Sequence, residues 1–124
     1  MVDNNEKVVI AKSENVYISH EEWGRLTWYM SGRESEAAQL TLGKCEIFPE
    51  CSNPRHFHPN CQEVLHVLKG TIEHRIGDKA VAMTEGDTIL IPEGEVHNAK
   101  NLSDETAVMV ISFSSAERQT VKTK

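Results

Sequence analysis

Residues 55–63 read RHFHPNCQE, and this stretch decides how the whole chain is interpreted. Successive side chains of a β-strand point to opposite faces, so His56 and His58 project from one face and Phe57 from the other. After a turn, Glu63 opens the next strand, where its carboxylate can return to the same face. Two imidazoles and a carboxylate suit a borderline divalent metal such as zinc, iron, manganese, nickel, cobalt or copper, and leave coordination positions open.

Taken alone, the H-x-H pair fits two polar side chains facing solvent as well as it fits two metal ligands. The residues that follow extend the pattern. Six residues separate Glu63 from Gly70, and a second set begins at Gly86. The second set consists of five residues at defined spacings, Gly86, Pro92, Gly94, His97 and Asn101.

These spacings resemble the two motifs of the cupin superfamily. The second motif matches at all five of its fixed positions, and the first matches at His56, His58, Glu63 and Gly70. The opening glycine of the first motif falls on Glu50, so we expect that turn to form in a different shape, without glycine's freedom. The resemblance covers residues 40–113.

The resemblance implies an antiparallel jelly-roll β-barrel with one divalent transition metal near its centre. Carried over position by position, the metal ligands are His56, His58, Glu63 and His97. The residue pattern agrees, because a strand over residues 96–101 can bring His97 to the same interior point from another part of the chain.

The rest of the chain also indicates an all-β fold. Short apolar or alternating segments are separated by Gly, Pro, Asn and Asp. Strands are predicted over residues 15–18, 25–31, 39–48, 55–58, 63–69, 71–76, 79–83, 88–91, 96–101 and 106–113. The single helical candidate is residues 32–38, with one or two turns.

With 124 residues, the chain is predicted to form one domain. Residues 1–35 are predicted to be a segment that packs on the barrel or on a partner subunit. Residues 36–113 are the predicted barrel, and residues 114–124 a polar, frayed tail. Two predicted strands, residues 63–69 and 106–113, are apolar on both faces, which favours a homodimer that covers the outer face.

Composition excludes several classes of protein. A net charge of −6 with no basic cluster before the tail argues against nucleic acid as a partner. No apolar run approaches the roughly 18 residues of a membrane span, so no membrane association is predicted. Three cysteines without a C-x-x-C pair do not indicate a disulfide framework, and no signal peptide is evident. We therefore expect reduced thiols and a cytoplasmic location.

Other polar residues give weaker signals. His66 is predicted on the outer face, since it lies three residues from Glu63 in one strand. His74 is assigned to the surface more readily than to the pocket, and His20 to an exposed loop. Cys61 is interpreted as a small buried side chain rather than a neighbour of the metal. Asn60 and Gln62 are weak candidates for supporting or substrate contacts. The large aromatic side chains are assigned to the core or to an interface: Trp23, Trp28, Tyr29 and Phe48. The basic residues nearest the motifs are Arg55, Arg75 and Lys100.

The leading hypothesis for function is a metal-dependent enzyme acting on a small organic molecule that chelates the metal through two oxygen atoms. Glu63 would hold the metal and also act as a catalytic proton acceptor. A dioxygenase is placed first, and an isomerase, lyase or cyclase acting on a sugar or polyketide-like substrate second. A non-catalytic metal- or ligand-binding module is the alternative from another class. The few basic residues near the motifs argue against a phosphorylated substrate.

Overall fold

A computed structural model describes the backbone of residues 2–3 and all of residues 8–123. Thirteen strands are assigned in this part of the chain, together with one 3₁₀ turn at Ser13–Asn15. The strands are β1 Val2–Asp3, β2 Ile10–Ala11, β3 Tyr17–Glu21, β4 Gly24–Met30, β5 Thr41–Ile47, β6 His56–Phe57, β7 Glu63–Lys69, β8 Ile72–Ile76, β9 Lys79–Met83, β10 Thr88–Ile91, β11 His97–Asn101, β12 Ala107–Phe113 and β13 Val121–Lys122.

Two antiparallel sheets form the body of the domain. The larger has the order β10-β7-β12-β5-β4-β3, and the smaller has the order β13-β6-β11-β8-β9. Most consecutive strands from β5 to β12 alternate between the sheets, which is the jelly-roll path. The predicted all-β, antiparallel jelly-roll fold is confirmed.

The core lies between the two sheets because strand residues alternate inward and outward. In β12 the residues from Ala107 to Phe113 alternate strictly between buried and half-buried. Ile47, Val67 and Ile72 contribute fully buried aliphatic side chains from three other strands. Paired strands β4 and β5 set Trp28 opposite Gly43, where an added Cβ would lie 2.6 Å from the indole ring. Gly43 therefore makes room for Trp28.

Residues from both predicted end segments belong to the sheets, so the barrel extends beyond residues 36–113. Residues 17–30 lie in the segment predicted to pack on the barrel or on a partner subunit, and here β3 and β4 are the last two strands of the larger sheet. Residues 121–122 lie in the predicted frayed tail, yet β13 pairs with β6. Residues 114–123 of the tail are held against the domain, and we call this segment the C-terminal strap. Residues 1, 4–7 and 124 of these predicted segments lie outside the described residues.

A further prediction about local structure is wrong. Residues 32–38 form hydrogen-bonded turns around Ser31 rather than a regular helix. Glu50 adopts φ 64°, in the left-handed region that favours glycine, so this turn forms with a non-glycine residue in that conformation. The Cys51 amide donates to the carbonyl of Phe48 at 3.0 Å and closes this turn.

No helix in the described part of the chain is long and apolar enough to cross a membrane.

Candidate metal centre

The four residues singled out by spacing meet inside the domain. One ligand atom from each of His56, His58, Glu63 and His97 lies within 4.8 Å of the others. His56 comes from β6, Glu63 begins β7 and His97 begins β11, so both sheets contribute. His58, Glu63 and His97 are each at most 5% exposed. The centroid distances between the three imidazole rings are 4.3, 4.9 and 5.2 Å.

The three imidazoles share one orientation. Each directs Nδ1 at a backbone carbonyl oxygen and leaves Nε2 for the interior. The partners are Pro54 O for His56 at 2.7 Å, Gln119 O for His58 at 2.9 Å and Glu95 O for His97 at 2.9 Å. A carbonyl can only accept, so Nδ1 carries a proton, and in the neutral ring Nε2 carries the lone pair that a metal ion would bind. This arrangement of the second ring nitrogen is typical of histidines that bind metal.

The lone pairs at Nε2 face a carboxylate. Glu63 Oε1 lies 3.1 Å from His97 Nε2 and 3.3 Å from His58 Nε2. The latter atom is buried and lacks a hydrogen-bond partner in the described chain. Two acceptors at this distance repel unless a cation lies between them. A divalent metal satisfies these atoms, so the residues present fit such an ion.

Burial and neighbouring charges keep these groups in the protonation states that ligands need. Burial, with the charge of His97, lowers the pKa of His56 to about 4, so its imidazole is neutral near pH 7. Burial alone would raise the pKa of Glu63, but the contacts with His58 and His97 lower it to about 2. Glu63 is therefore an ionised carboxylate beside the neutral imidazole of His56, which are the protonation states that metal ligation requires.

A cavity of about 140 Å³ adjoins the four residues. Its wall is mostly apolar and aromatic, with Trp23, Trp28 and Phe113 among the larger side chains. Cys45 also lines the cavity, but burial raises the pKa of this thiol, which remains protonated and therefore a poor ligand. The cavity leaves room beside a bound ion for a small molecule.

His74 lies in this cavity, contrary to its predicted surface position. It is 1% exposed, and its ring stacks on that of His97 with centroids 5.7 Å apart. Its Nδ1 is buried and has no partner in the described chain. The sequence carried a usable signal, because alternation places His74 on the same face as Ile72 and Ile76, and apolar neighbours mark that face as inward.

The other polar residues singled out from the sequence lie mostly where they were predicted. His66 is on the outer face, as predicted, with Nδ1 2.7 Å from Thr88 Oγ1. His20 is exposed, as predicted, although it lies in β3 rather than in a loop. Cys61 is a core side chain at 2% exposure, which confirms the structural interpretation. Asn60 contacts the C-terminal strap, and Gln62 exchanges hydrogen bonds with Ser114. All three cysteines are free.

The basic residues at the cavity are not those that the motifs indicated. Arg55, Arg75 and Lys100 do not line the cavity, whereas Arg118 and Lys122 of the C-terminal strap do. No spacing rule marks Arg118, because it reaches the site through strap contacts with residues almost sixty positions earlier in the chain.

Comparison with known proteins identifies the family. A family model for the cupin domain matches residues 43–113. The chain belongs to the cupin family. As a cupin, it is 34% identical over 88 residues to a germin-like protein, subfamily 3 member 2, of Arabidopsis thaliana, across 64% of this chain and 39% of that protein. It is 32% identical over 84 residues to oxalate oxidase GF-2.8 of Triticum aestivum, across 61% of this chain and 38% of the relative.

Solved cupin structures resemble the fold closely. Oxalate decarboxylase of Lactobacillus farciminis superposes with a TM-score of 0.81 at 17% identity, over 88% of this chain and 34% of that protein. An oxalate oxidase superposes with a TM-score of 0.75 at 25% identity, over 84% and 57% of the two chains. The chain thus spans about two fifths of the curated relatives it matches and between a third and three fifths of these structures.

Proposed function

We propose that this cupin is a metal-dependent enzyme acting on a small organic molecule that chelates the metal through two oxygen atoms. The observation that carries the proposal is the common orientation of His56, His58 and His97, whose Nε2 lone pairs converge on the ionised Glu63. When bound, a divalent transition metal supplies a Lewis acid with open positions for substrate oxygen atoms. Mn(II) is our first choice, since Mn(II) centres are described for the oxalate decarboxylase of Bacillus subtilis.

The protein's own groups would bind and shield the substrate. Trp23, Trp28 and Phe113 give the cavity an apolar wall, which favours binding of an organic molecule. Glu63 holds the metal as a carboxylate. Its further role as a proton acceptor stays a prediction, and the pKa of about 2 disfavours it because the charged form binds protons weakly.

Among possible reactions we place an oxygen-dependent one first, with a dioxygenase as the specific hypothesis. Support comes from oxalate oxidases of wheat and barley among the curated relatives, at 31–32% identity over matched segments. These names describe oxidation of a small acid whose two carboxylates can chelate one ion. The proposal takes from them the oxidative class and the chelating substrate.

A second candidate is an isomerase, lyase or cyclase, and His74 favours it. Its imidazole lines the cavity without belonging to the four ligands, and burial lowers its pKa to about 4, so it is neutral near pH 7 and can donate or accept a hydrogen bond with a substrate. A non-catalytic metal-binding module is disfavoured by the open cavity beside the ligands, which a closed structural site does not need.

Metal content tests the site directly. Wild type, His58→Ala and His66→Ala are purified without chelators, loaded with Mn(II), desalted and assayed for metal. His66→Ala is the matched control, since His66 is a histidine on the outer face of the same domain. We expect one metal per chain in wild type and in His66→Ala, and loss of metal in His58→Ala. Equal metal in all three would contradict the site.

Oxygen dependence separates the reaction classes. Oxalate, diketones, flavonols and catechols are supplied to the loaded protein in air and under anaerobic conditions, with substrate loss and oxygen uptake measured together. Substrate loss that stops without oxygen supports the oxidative class. Turnover that continues without oxygen excludes the dioxygenase and leaves the lyase or isomerase.

We also propose that the chain forms a homodimer through the outer face of the larger sheet. Leu90, Val64 and Leu42 lie in one row across that face, and they are 53%, 40% and 38% exposed. The row lacks charged side chains, so two copies of this acidic chain can meet there without direct repulsion. Sedimentation should give the mass of two chains, and Val64→Glu should reduce it to one.

A further inference from the structure

Arg118 places a positive charge at the cavity that holds the four candidate ligands. It belongs to the C-terminal strap and lines the cavity together with Trp28 and Phe113. Its guanidinium carbon lies 4.1 Å from the centroid of the Trp28 ring and 5.2 Å from that of Phe113. Stacking on two aromatic faces fixes the plane of the guanidinium and leaves its N–H edge available.

This guanidinium lacks a carboxylate partner. Within residues 8–123, no Asp or Glu oxygen is within 4.0 Å of Arg118, and its Nη1 donates a hydrogen bond to Thr120 Oγ1 at 2.7 Å. By contrast, Arg25 and Arg75 each contact a carboxylate at 2.9 Å. A guanidinium has five N–H donors, so most of those on Arg118 stay available for an anion.

The charge of Glu63 acts on Arg118, although the two side chains form no ion pair within the described residues. Burial lowers the pKa of Arg118, and the charge of Glu63 opposes this change. Arginine nevertheless stays charged in proteins. Because a bound divalent metal would take up the charge of Glu63, the charge on Arg118 would then face the substrate side of the cavity.

The backbone on both sides of Arg118 is held by one side chain. Asn60 Nδ2 donates to the carbonyl of Glu117 at 2.9 Å, and the amide of Gln119 donates to Asn60 Oδ1 at 2.8 Å. The carbonyl of Gln119 in turn accepts from Nδ1 of the ligand His58 at 2.9 Å. The strap therefore positions the arginine and one metal ligand together, which limits the entropy lost when a ligand binds.

We propose that Arg118 is the specificity-determining residue of the site and binds a carboxylate of the substrate, so that the cavity selects carboxylic acids over neutral chelators of the same shape. Two parallel N–H donors of a guanidinium match the two oxygens of a carboxylate. The inference rests on the proposed function, because the rest of the substrate is held at the metal. It adds to that function the chemical class of the substrate.

The test uses glycolate and glycolamide, which share a skeleton and two chelating oxygens but differ in charge. Both are titrated by calorimetry into Mn(II)-loaded wild type, Arg118→Gln, Arg118→Lys and Arg33→Gln. Arg33→Gln is the matched control, because Arg33 also stacks on an aromatic ring, that of Tyr17 at 3.9 Å, outside the cavity. Metal content and melting temperature are recorded for every variant.

We expect Arg118→Gln to weaken glycolate binding about ten- to a hundredfold, the range for a lost charge-assisted hydrogen bond. Glycolamide binding and metal content should remain unchanged. The glycolate affinity of Arg118→Lys should lie between those of wild type and Arg118→Gln, since lysine keeps the charge and loses the paired donor geometry. Arg33→Gln should match wild type for both ligands.

Three results would overturn the inference. One is glycolate binding in Arg118→Gln as tight as in wild type at equal metal content. Another is wild type that binds glycolamide as tightly as glycolate, and the third is a metal-loaded wild type that binds neither. Wild type that takes up no metal contradicts the proposed function instead. The affinities of metal-free wild type and Arg118→Gln for glycolate then decide the role of Arg118 separately.

Discussion

His97 and Asn101 lie four residues apart on β11, and both side chains are buried, yet their surroundings differ completely. The Asn101 amide donates to the carbonyls of Ile47 and Glu105 at 2.9 and 2.7 Å. Its oxygen accepts from the Ser103 amide and hydroxyl at 2.8 and 2.7 Å. Every atom of this amide is paired, so Asn101 has a structural role.

The histidine cluster at the other end of the strand is left incomplete. His58 Nε2 and His74 Nδ1 are buried and unpartnered in the described chain, and three lone pairs converge on a carboxylate. A buried polar group without a partner costs free energy, so a fold retains it where a ligand completes it. This difference distinguishes residues that stabilise the barrel from residues that bind a ligand. Several substitutions test the distinction.

Asn101→Ala should have the largest effect on stability. It leaves the carbonyls of Ile47 and Glu105 and the amide of Ser103 without partners, and we expect a loss of about 3 to 5 kcal/mol. Urea unfolding of the metal-free protein measures it. Asn98→Ala, on the opposite face of β11, is the control and should cost clearly less. Equal losses would remove the distinction between the two regions.

Metal should stabilise the wild type by about 3 to 4 kcal/mol at concentrations a hundred to a thousand times the dissociation constant. This gain should vanish in His58→Ala and persist in His66→Ala. Melting temperature with and without added Mn(II) provides the measurement. A gain that survives in His58→Ala would show that the added ion acts elsewhere.

The metal-free protein should lose about 2 to 3 kcal/mol for each of His56 and His74 as the pH falls from 6.5 to 4. The pKa values of His56 and His74 are about 4 in the folded chain, below the ordinary value of 6.5. The unfolded chain therefore binds more protons across this window, and stability falls with falling pH. Urea unfolding at stepped pH checks the slope, and a flat profile contradicts the neutral buried histidines.

His74→Met should leave the metal-free protein as stable as wild type or more stable by about 1 kcal/mol. It replaces a buried ring that has an unpartnered Nδ1 with an apolar side chain that adapts to the space. It should also reduce the pH dependence between 6.5 and 4. Denaturant midpoints measure both effects. A large destabilisation would place His74 with Asn101 among structural residues.

Glu50→Gly should give the smallest effect, a stabilisation of about 0.5 to 1 kcal/mol. Glu50 holds φ 64°, a conformation that costs a side chain more than it costs glycine. The control Glu85→Gly removes an exposed turn glutamate that lacks a positive φ, and it should gain nothing. Melting temperatures of the two variants decide, and a gain shared by both would point to lost charge instead.

Much of the fold and part of the site could be predicted from sequence. Strand alternation indicated the all-β class, and the spacing of His56, His58, Glu63 and His97 brought together the residues that the structure groups. These signals are local or fixed by short turns. Arg118 could not be found this way, because its place depends on strap contacts to Asn60 rather than on its neighbours in sequence.

The C-terminal strap also sets an order of events during synthesis. All four candidate ligands precede residues 117–119 in the chain, so they are synthesised first. The carbonyl of Gln119, which fixes the His58 ring, is therefore added after every candidate ligand. Until the strap docks, the His58 ring lacks the carbonyl that fixes its orientation. Firm binding of a metal therefore depends on folding of the strap as well as on the four ligands.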